Sequence, residues 1–287
     1  MSAPAETERD LSFEPVVNDN PKLLTQAQIA HFNEKGYIVP IDVFGTYQAN
    51  EIRTYFDMLI EKTMELGGSA YDVHGYHGRC QKLFDMATNW LVMDVMGDLL
   101  GPNFLMWGSH AFNKLPGDPK TVPWHQDASY WPLTPSRTIT AWLAIDDVDV
   151  SNAAMKYITG SHTLGHLPFE NRTENVVLNQ EVTAAEKYGE VVDIVLKAGQ
   201  MTVHSDMLIH GSEANVSDRR RCGLTMRYAP TVVRPLREGW GQAIILCRGK
   251  DEFGHWGKSI PRPAGDDVTL PPWSFKKSEH KSDEDKK

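Results

Sequence analysis

Three residues of this chain have types and spacings that suit a divalent metal ion. In Val122-Pro123-Trp124-His125-Gln126-Asp127 an imidazole and a carboxylate stand two positions apart. On a strand, residues two apart share a face, so His125 and Asp127 are expected to project together. His210, in Leu208-Ile209-His210-Gly211-Ser212, follows at the end of another apolar run. Two histidines and one carboxylate on a β scaffold form the facial triad of non-haem Fe(II) oxygenases, which leaves positions open for a cosubstrate and dioxygen. An H-x-D pair is common by chance in a chain with 11 histidines, so the weight falls on its surroundings. Arg219-Arg220-Arg221 opens a strand-like run, CGLTMRYAP, expected to lie beside the His210 strand. A guanidinium pointing inward from it would grip a carboxylate with two hydrogen bonds, while at least one of the three arginines is expected to be solvated.

The elements that must position these groups are legible from periodicity. Thr25 and Gln28 suit a capping box before Ile29 and Phe32, with Gly36 as terminator. Residues 47–66 and 86–100 place apolar side chains at helical spacing, each before a glycine. A short strand, Tyr37-Ile38-Val39, is expected between the first two helices. After Gly101 the texture changes to short runs rich in β-branched and aromatic residues, such as FLMWGSHAFNKL, TITAWLAIDDV, MKYITGSH, VDIVLKAG and QMTVHS. Consecutive strands without long helices between them predict an α+β, mainly β chain: an antiparallel jelly roll with the N-terminal helices packed on one sheet. No repeat or linker divides it. The expected organisation is a flexible tail over 1–22, one domain over 23–274, and a charged flexible tail over 275–287.

Composition narrows the class of function. At 41% hydrophobic and 23% charged the chain can build a core. With 29 Lys and Arg against 38 Asp and Glu, the net charge of −9 argues against nonspecific nucleic-acid binding, which needs clustered cations to displace phosphate counterions. Cys80, Cys222 and Cys247 form no C-x-x-C pair and signal no disulfide scaffold. The N-terminus is polar and acidic, and eighteen apolar residues never run together. A cytoplasmic protein with a small-molecule substrate and no membrane or nucleic-acid partner is the expectation.

Taken together, four stretches make the sequence resemble the phytanoyl-CoA dioxygenase (PhyH) family of Fe(II)/2-oxoglutarate-dependent oxygenases, from about Leu24 to about Gly257. They are LTQAQIAHFNEKGYIVPIDVF, FNKLPGDPKTVPWHQDASYWPL, TITAWLAIDDVDVSNAAMKYITGSH and HGSEANVSDRRRCGLTMRYAP. The resemblance implies a double-stranded β-helix with iron held by His125, Asp127 and His210. It implies that the arginine eleven positions after the distal histidine, Arg221, binds the far carboxylate of 2-oxoglutarate, with Ser212 as a second contact. The implied reaction uses Fe(II), 2-oxoglutarate and O2, releases succinate and CO2, and hydroxylates an unactivated C–H bond; desaturation and ring closure share its early steps. Related halogenases carry a small residue in place of the carboxylate, so Asp127 argues against halogenation.

Other residues have less specific surroundings. Asn113 and Lys114 are candidates for contact with cosubstrate or substrate, and Thr140 for a place on the cavity wall. Trp124, Tyr130 and Trp131 flank the ligands and could line a substrate pocket or simply pack. His74 and His77 lie in a glycine-bearing loop that could form a lid, as could residues 170–187. His204 reads as a satisfied core histidine, and Met155, Met201, Met207 and Met226 as core filler. Arg227, Arg234, Arg237 and Arg248 could recognise an anion, although exposed arginines paired with surface acids are commoner. Two other classes fit the same residues: a cupin-like zinc or manganese isomerase or hydrolase, which would not need Arg221 and Ser212, and a noncatalytic binding module.

Overall fold

The computed structural model describes residues 9–241 and 243–270. Its first hundred residues supply α1 (Gln26–Lys35), β1 (Tyr37–Asp42), α2 (Thr46–Glu65), α3 (Gln81–Ala87) and α4 (Trp90–Leu100). α1 starts where expected: the Thr25 hydroxyl accepts the Gln28 N–H at 3.2 Å, Gln28 Oε1 accepts the Thr25 N–H at 2.9 Å, and Gly36 ends the helix at φ 89°. The helix expected over 86–100 is instead two. Asn89 interrupts it, because its side chain accepts the Leu91 N–H at 2.9 Å and so caps a new helix.

The remainder is β: β2 (Phe104–Lys114), β3 (Val122–His125), β4 (Leu133–Thr134), β5 (Ile139–Ala144), β6 (Met155–Ile158), β7 (Glu170–Asn171) and β8 (Gln180–Glu181). These are followed by β9 (Val191–Ile194), β10 (Gln200–Ser205), β11 (His210–Ser212), β12 (Arg221–Pro230), β13 (Arg234–Pro235) and β14 (Ile245–Arg248). One antiparallel sheet has the order β1-β10-β5-β12-β2-β14, and a second has the order β3-β11-β6-β9. The two sheets make the expected jelly roll. The Arg221 strand is not beside the His210 strand, as the sequence suggested: β12 pairs with β2 and β5, whereas β11 pairs with β3 and β6. Greek-key connections send strands close in sequence to opposite sheets, so Arg221 meets His210 across the barrel rather than along one sheet.

Alternation along the strands divides the larger sheet into two faces. Ala141, Leu143, Val203, Cys222, Leu224 and Met226 pack outward against Tyr55, Phe56, Leu59 and Val95 of the helices. The residues alternating with them, including Thr140, Trp142, His204, Arg221, Thr225 and Arg227, line the interior with the triad residues. Residues 9–22, expected to belong to a mobile tail, are anchored along their length. Arg9 donates to the carbonyls of Ala128 (2.8 Å) and Leu133 (3.2 Å), Val16 exchanges two hydrogen bonds with the Asn33 amide, and Asp98 accepts the N–H groups of Lys22, Leu23 and Leu24. Polar side chains of the body, rather than apolar periodicity, order this segment. The expected tail over 275–287 lies outside the described residues. No helix is long and apolar enough to cross a membrane, among the described residues.

Candidate active site

His125 closes β3 and His210 opens β11, and their Cα atoms are paired in the antiparallel register. Asp127 does not continue the strand, as the two-residue spacing predicted, but begins a 3-10 turn, Asp127–Ser129. That turn is held by the Ala128 N–H, which donates to the Asp206 carbonyl at 2.9 Å, and by Arg9 on the Ala128 carbonyl. The carboxylate still reaches the histidines. Asp127 Oδ1 is 3.5 Å from His125 Nε2 and 3.9 Å from His210 Nε2, and one ligand atom from each residue lies within 4.8 Å of the others.

Local contacts put each group in the form a metal needs. His125 Nδ1 donates to the Pro123 carbonyl (2.8 Å) and His210 Nδ1 to the Leu208 carbonyl (3.0 Å), so Nε2 is the free nitrogen on both rings. Burial, then His125, holds the His210 imidazole well below its ordinary range and therefore neutral. Burial alone would raise the Asp127 carboxyl, but His125 and His204 outweigh it and keep the group ionised, well below the usual carboxylate range. The Thr140 hydroxyl donates to Asp127 Oδ2 at 3.2 Å. Two imidazole Nε2 atoms and an anionic oxygen facing one point are a donor set suited to Fe(II).

A cationic end adjoins this centre. Arg221, 1% exposed, donates through Nη2 to Ser212 Oγ at 3.1 Å and through Nε to the Ala153 carbonyl at 3.1 Å. Burial lowers its pKa to about 10. Lys114, paired in register with Arg221, is completely buried and donates to the carbonyls of Ser212 and Glu213. Burial, then the neighbouring Arg221, pulls Lys114 down to about 7. Asn113 cannot face the same way. It alternates with Lys114, pairs with Cys222 of the helix-packed face, and has both amide atoms buried without a hydrogen-bond partner. Of the two neighbours singled out in the sequence, only Lys114 thus has a side chain among the groups of the site.

The flanking aromatics divide similarly. Trp124 points away from the ligands, packing against Ile158, Leu167 and Ile209 and donating to Glu186 at 3.1 Å. Tyr130 stands edge-on to His125 at 5.9 Å, and its hydroxyl accepts the Gln180 N–H at 2.8 Å. Trp131 lies 5.2 Å from the Arg227 guanidinium. Residues 170–187 therefore touch the site's surroundings through both Trp124 and Tyr130. The loop bearing His74 and His77 is packed into the fold: His77 is buried between Ser109 Oγ (2.7 Å) and the Ala243 carbonyl (3.0 Å), and His74 stacks on His110 at 4.8 Å.

Sequence reasoning underrated two residues. His204 is not a wholly satisfied core histidine: Nδ1 bonds the Tyr157 hydroxyl at 2.9 Å, but Nε2 is unpartnered, 3.8 Å from Asp127 Oδ2. Its place two residues from Thr202 on an inward face was the available signal. Arg227 also lines the triad cavity rather than the surface. The free space at the centre is about 30 Å³, so side chains must part to admit a diacid larger than one or two waters.

The sequence profile of the phytanoyl-CoA dioxygenase (PhyH) family matches residues 32–223. The chain belongs to the PhyH family. Among relatives of this PhyH protein, a probable phytanoyl-CoA dioxygenase of Caenorhabditis elegans is 23% identical over 236 residues, covering 72% of this chain and 76% of the relative. The peroxisomal phytanoyl-CoA dioxygenase of Bos taurus is 26% identical, covering 52% of this chain and 46% of the relative. A probable alpha-ketoglutarate-dependent hypophosphite dioxygenase of Stutzerimonas stutzeri is 27% identical, covering 50% of this chain and 52% of the relative. The non-heme monooxygenase ThoJ superposes with TM-score 0.71 at 26% identity, over 83% of this chain and 88% of ThoJ. EctD from S. alaskensis superposes with TM-score 0.69 over 93% and 97% at 18% identity, a likeness of fold. This PhyH protein is accordingly a non-haem Fe(II)/2-oxoglutarate-dependent dioxygenase.

Proposed function

We propose that this PhyH enzyme hydroxylates an unactivated C–H bond of a small-molecule metabolite or natural-product intermediate, releasing succinate and CO2. The observation that carries the proposal is the complete donor set, His125, Asp127 and His210, next to a buried arginine already paired with a serine hydroxyl. Iron, when bound, supplies the redox chemistry that couples oxidative decarboxylation of the 2-oxo acid to C–H oxidation. The chain's residues have separable tasks. His125, Asp127 and His210 hold the metal on one side, while Thr140 fixes the carboxylate's orientation. Arg221 and Ser212 bind the distal carboxylate of 2-oxoglutarate, and Lys114 fixes the Ser212 backbone beside it through its hydrogen bonds to the Ser212 and Glu213 carbonyls. Tyr130 and Trp131 exclude water on the substrate side. Three unpaired cysteines support a reducing, cytoplasmic setting.

Anaerobic titration of the apoprotein with Fe(II) and 2-oxoglutarate tests this without a substrate. The expected result is a weak visible charge-transfer band in wild type, with Arg221→Ala requiring about 10- to 100-fold more 2-oxoglutarate, because a charge-assisted pair contributes about 1.5–3 kcal/mol. Metal binding with no band would overturn the proposed roles and favour a non-redox metal site. With the band in hand, succinate release stimulated by candidate substrates, followed by mass analysis for a gain of one oxygen, separates hydroxylation from desaturation or ring closure.

A further inference from the structure

β12 carries a second inward arginine. Arg221, Gly223, Thr225 and Arg227 occupy alternate positions of one strand, so the two guanidiniums leave the same face six residues, or about 20 Å, apart. They differ in how they are satisfied. Arg221 donates to Ser212 and Ala153, whereas among the described residues Arg227 has no hydrogen bond and no ion pair, and its Nε is buried with no partner. Arg227 is only 8% exposed and shares a cavity lining with His125, Asp127 and His210. Asp127, assigned to the metal, is the carboxylate whose charge reaches Arg227, and it makes no direct ion pair with it. An arginine removed from water without a hydrogen-bonded anion is costly, and most buried arginines in folded chains are paired for that reason.

The surroundings are shaped around this cation rather than against it. The Arg227 guanidinium carbon lies 5.2 Å from the Trp131 ring and 5.7 Å from the Trp107 ring, and the two indoles meet edge-to-face at 4.8 Å. The β2–β12 register shifts between Arg227 and Tyr228: Gly108 pairs with Arg227 and Met106 with Tyr228, which leaves Trp107 as the extra residue of a bulge. A bulge re-aims a side chain, and here it groups Trp107 with Leu105, Trp131 and Val233. Aromatic faces stabilise a cation without consuming its N–H groups, so the guanidinium keeps its donors for a ligand.

We infer that Arg227 is the seat for an oxyanion of the substrate, a carboxylate or a phosphonate, at the opposite end of β12 from the arginine that binds the cosubstrate. This rests on the reading of Arg221 as the 2-oxoglutarate anchor. The planar guanidinium matches either oxyanion in bidentate fashion, and the indole pair orients it. The substrate class is then a small acid whose reactive carbon lies between its anionic group and the triad.

The test uses full-length enzyme loaded anaerobically with Fe(II) and saturating 2-oxoglutarate, titrated with hexanoate, hexylphosphonate and the uncharged hexanamide while tryptophan fluorescence is followed. One or both anions are expected to give a saturable change, with the tighter of the two identifying the oxyanion, and the amide none. Arg227→Met is expected to weaken anion binding about tenfold or more, with Arg227→Lys intermediate because it keeps charge without the fork. The melting temperature of Arg227→Met is expected to rise, since an unpaired buried cation gives way to an apolar chain; a structural role for Arg227 would lower it. The inference is overturned if hexanamide binds as well as the anions, if neither anion binds, if Arg227→Met keeps wild-type affinity, or if excess 2-oxoglutarate displaces the anion. The visible band in the same samples reports separately on the iron and cosubstrate reading. Its loss would defeat that reading while Arg227-dependent anion binding still stood.

Discussion

His125 and His210 are fastened by the same local device: each Nδ1 donates to the carbonyl two residues upstream, Pro123 and Leu208, and the two rings meet 4.1 Å apart across paired strands. A backbone carbonyl can only accept, so both rings carry their proton on Nδ1 and present Nε2 toward Asp127. Each ring's tautomer and rotation are thereby set by its own strand. Asp127→Ala and His210→Ala are expected to abolish stoichiometric Fe(II) binding, measured anaerobically against a chromophoric chelator, while circular dichroism stays unchanged. Thr140→Val removes only the hydroxyl on Asp127 and should weaken iron by about 10- to 100-fold. Wild-type affinity in either ligand variant would refute the assignment.

Gly223 faces the barrel interior between Arg221 and Thr225, and a Cβ there would stand 1.9 Å from Trp142 Cζ2. The indole lies across the strand because this position has no side chain. Trp142 in turn sits 5.7 Å from the Arg221 guanidinium. Gly223→Ala should lower stability by about 1–3 kcal/mol through overpacking, read from denaturant midpoints, and should raise the 2-oxoglutarate needed for the visible band. Alanine tolerated with neither change would mean the ring moves freely.

Asp206 is 2% exposed, and burial raises its carboxyl to about 7. The folded state therefore binds this proton more tightly than the unfolded chain, whose carboxyl titrates near 3.9. The stabilising share of Asp206 is present in full below about pH 4 and is lost as pH rises through about 7. Asp206→Asn keeps the shape without the titration. It should flatten the pH dependence of unfolding free energy between these limits and leave the variant more stable than wild type at pH 8. A steeper profile in the variant would contradict this.

Much of the scaffold was legible because it follows local rules. The Thr25–Gln28 box, the Gly36 stop and the alternating strands need only neighbours a few residues away. The triad candidates stood out because H-x-D and a distant His-Gly-Ser are chemically conspicuous. What sequence left hidden depends on contacts far along the chain. The departure of Asp127 from its strand is fixed by Arg9 and Asp206, distant in sequence. The partner strands of β12 follow from Greek-key connectivity, which no periodicity encodes. Arg227 looked like one surface arginine among several because a bulge at Trp107, invisible in the residue string, decides what surrounds it. Asn113 was a different kind of miss: strand alternation already forbade it from facing the same way as Lys114.

The enzyme wears its two signs of charge in different places. Arg221 and Arg227 are buried on inner strands, while the chain as a whole carries −9. A dianion such as 2-oxoglutarate approaching through dilute electrolyte meets the repulsive field of the exterior before it meets the interior cations. Screening lengths shrink from about 30 Å at 0.01 M salt to about 10 Å at 0.1 M, so added salt weakens the outer barrier and leaves the buried contacts nearly untouched. Stopped-flow capture of 2-oxoglutarate should therefore quicken with ionic strength while its release rate holds steady, the opposite of an enzyme whose surface draws its ligand in.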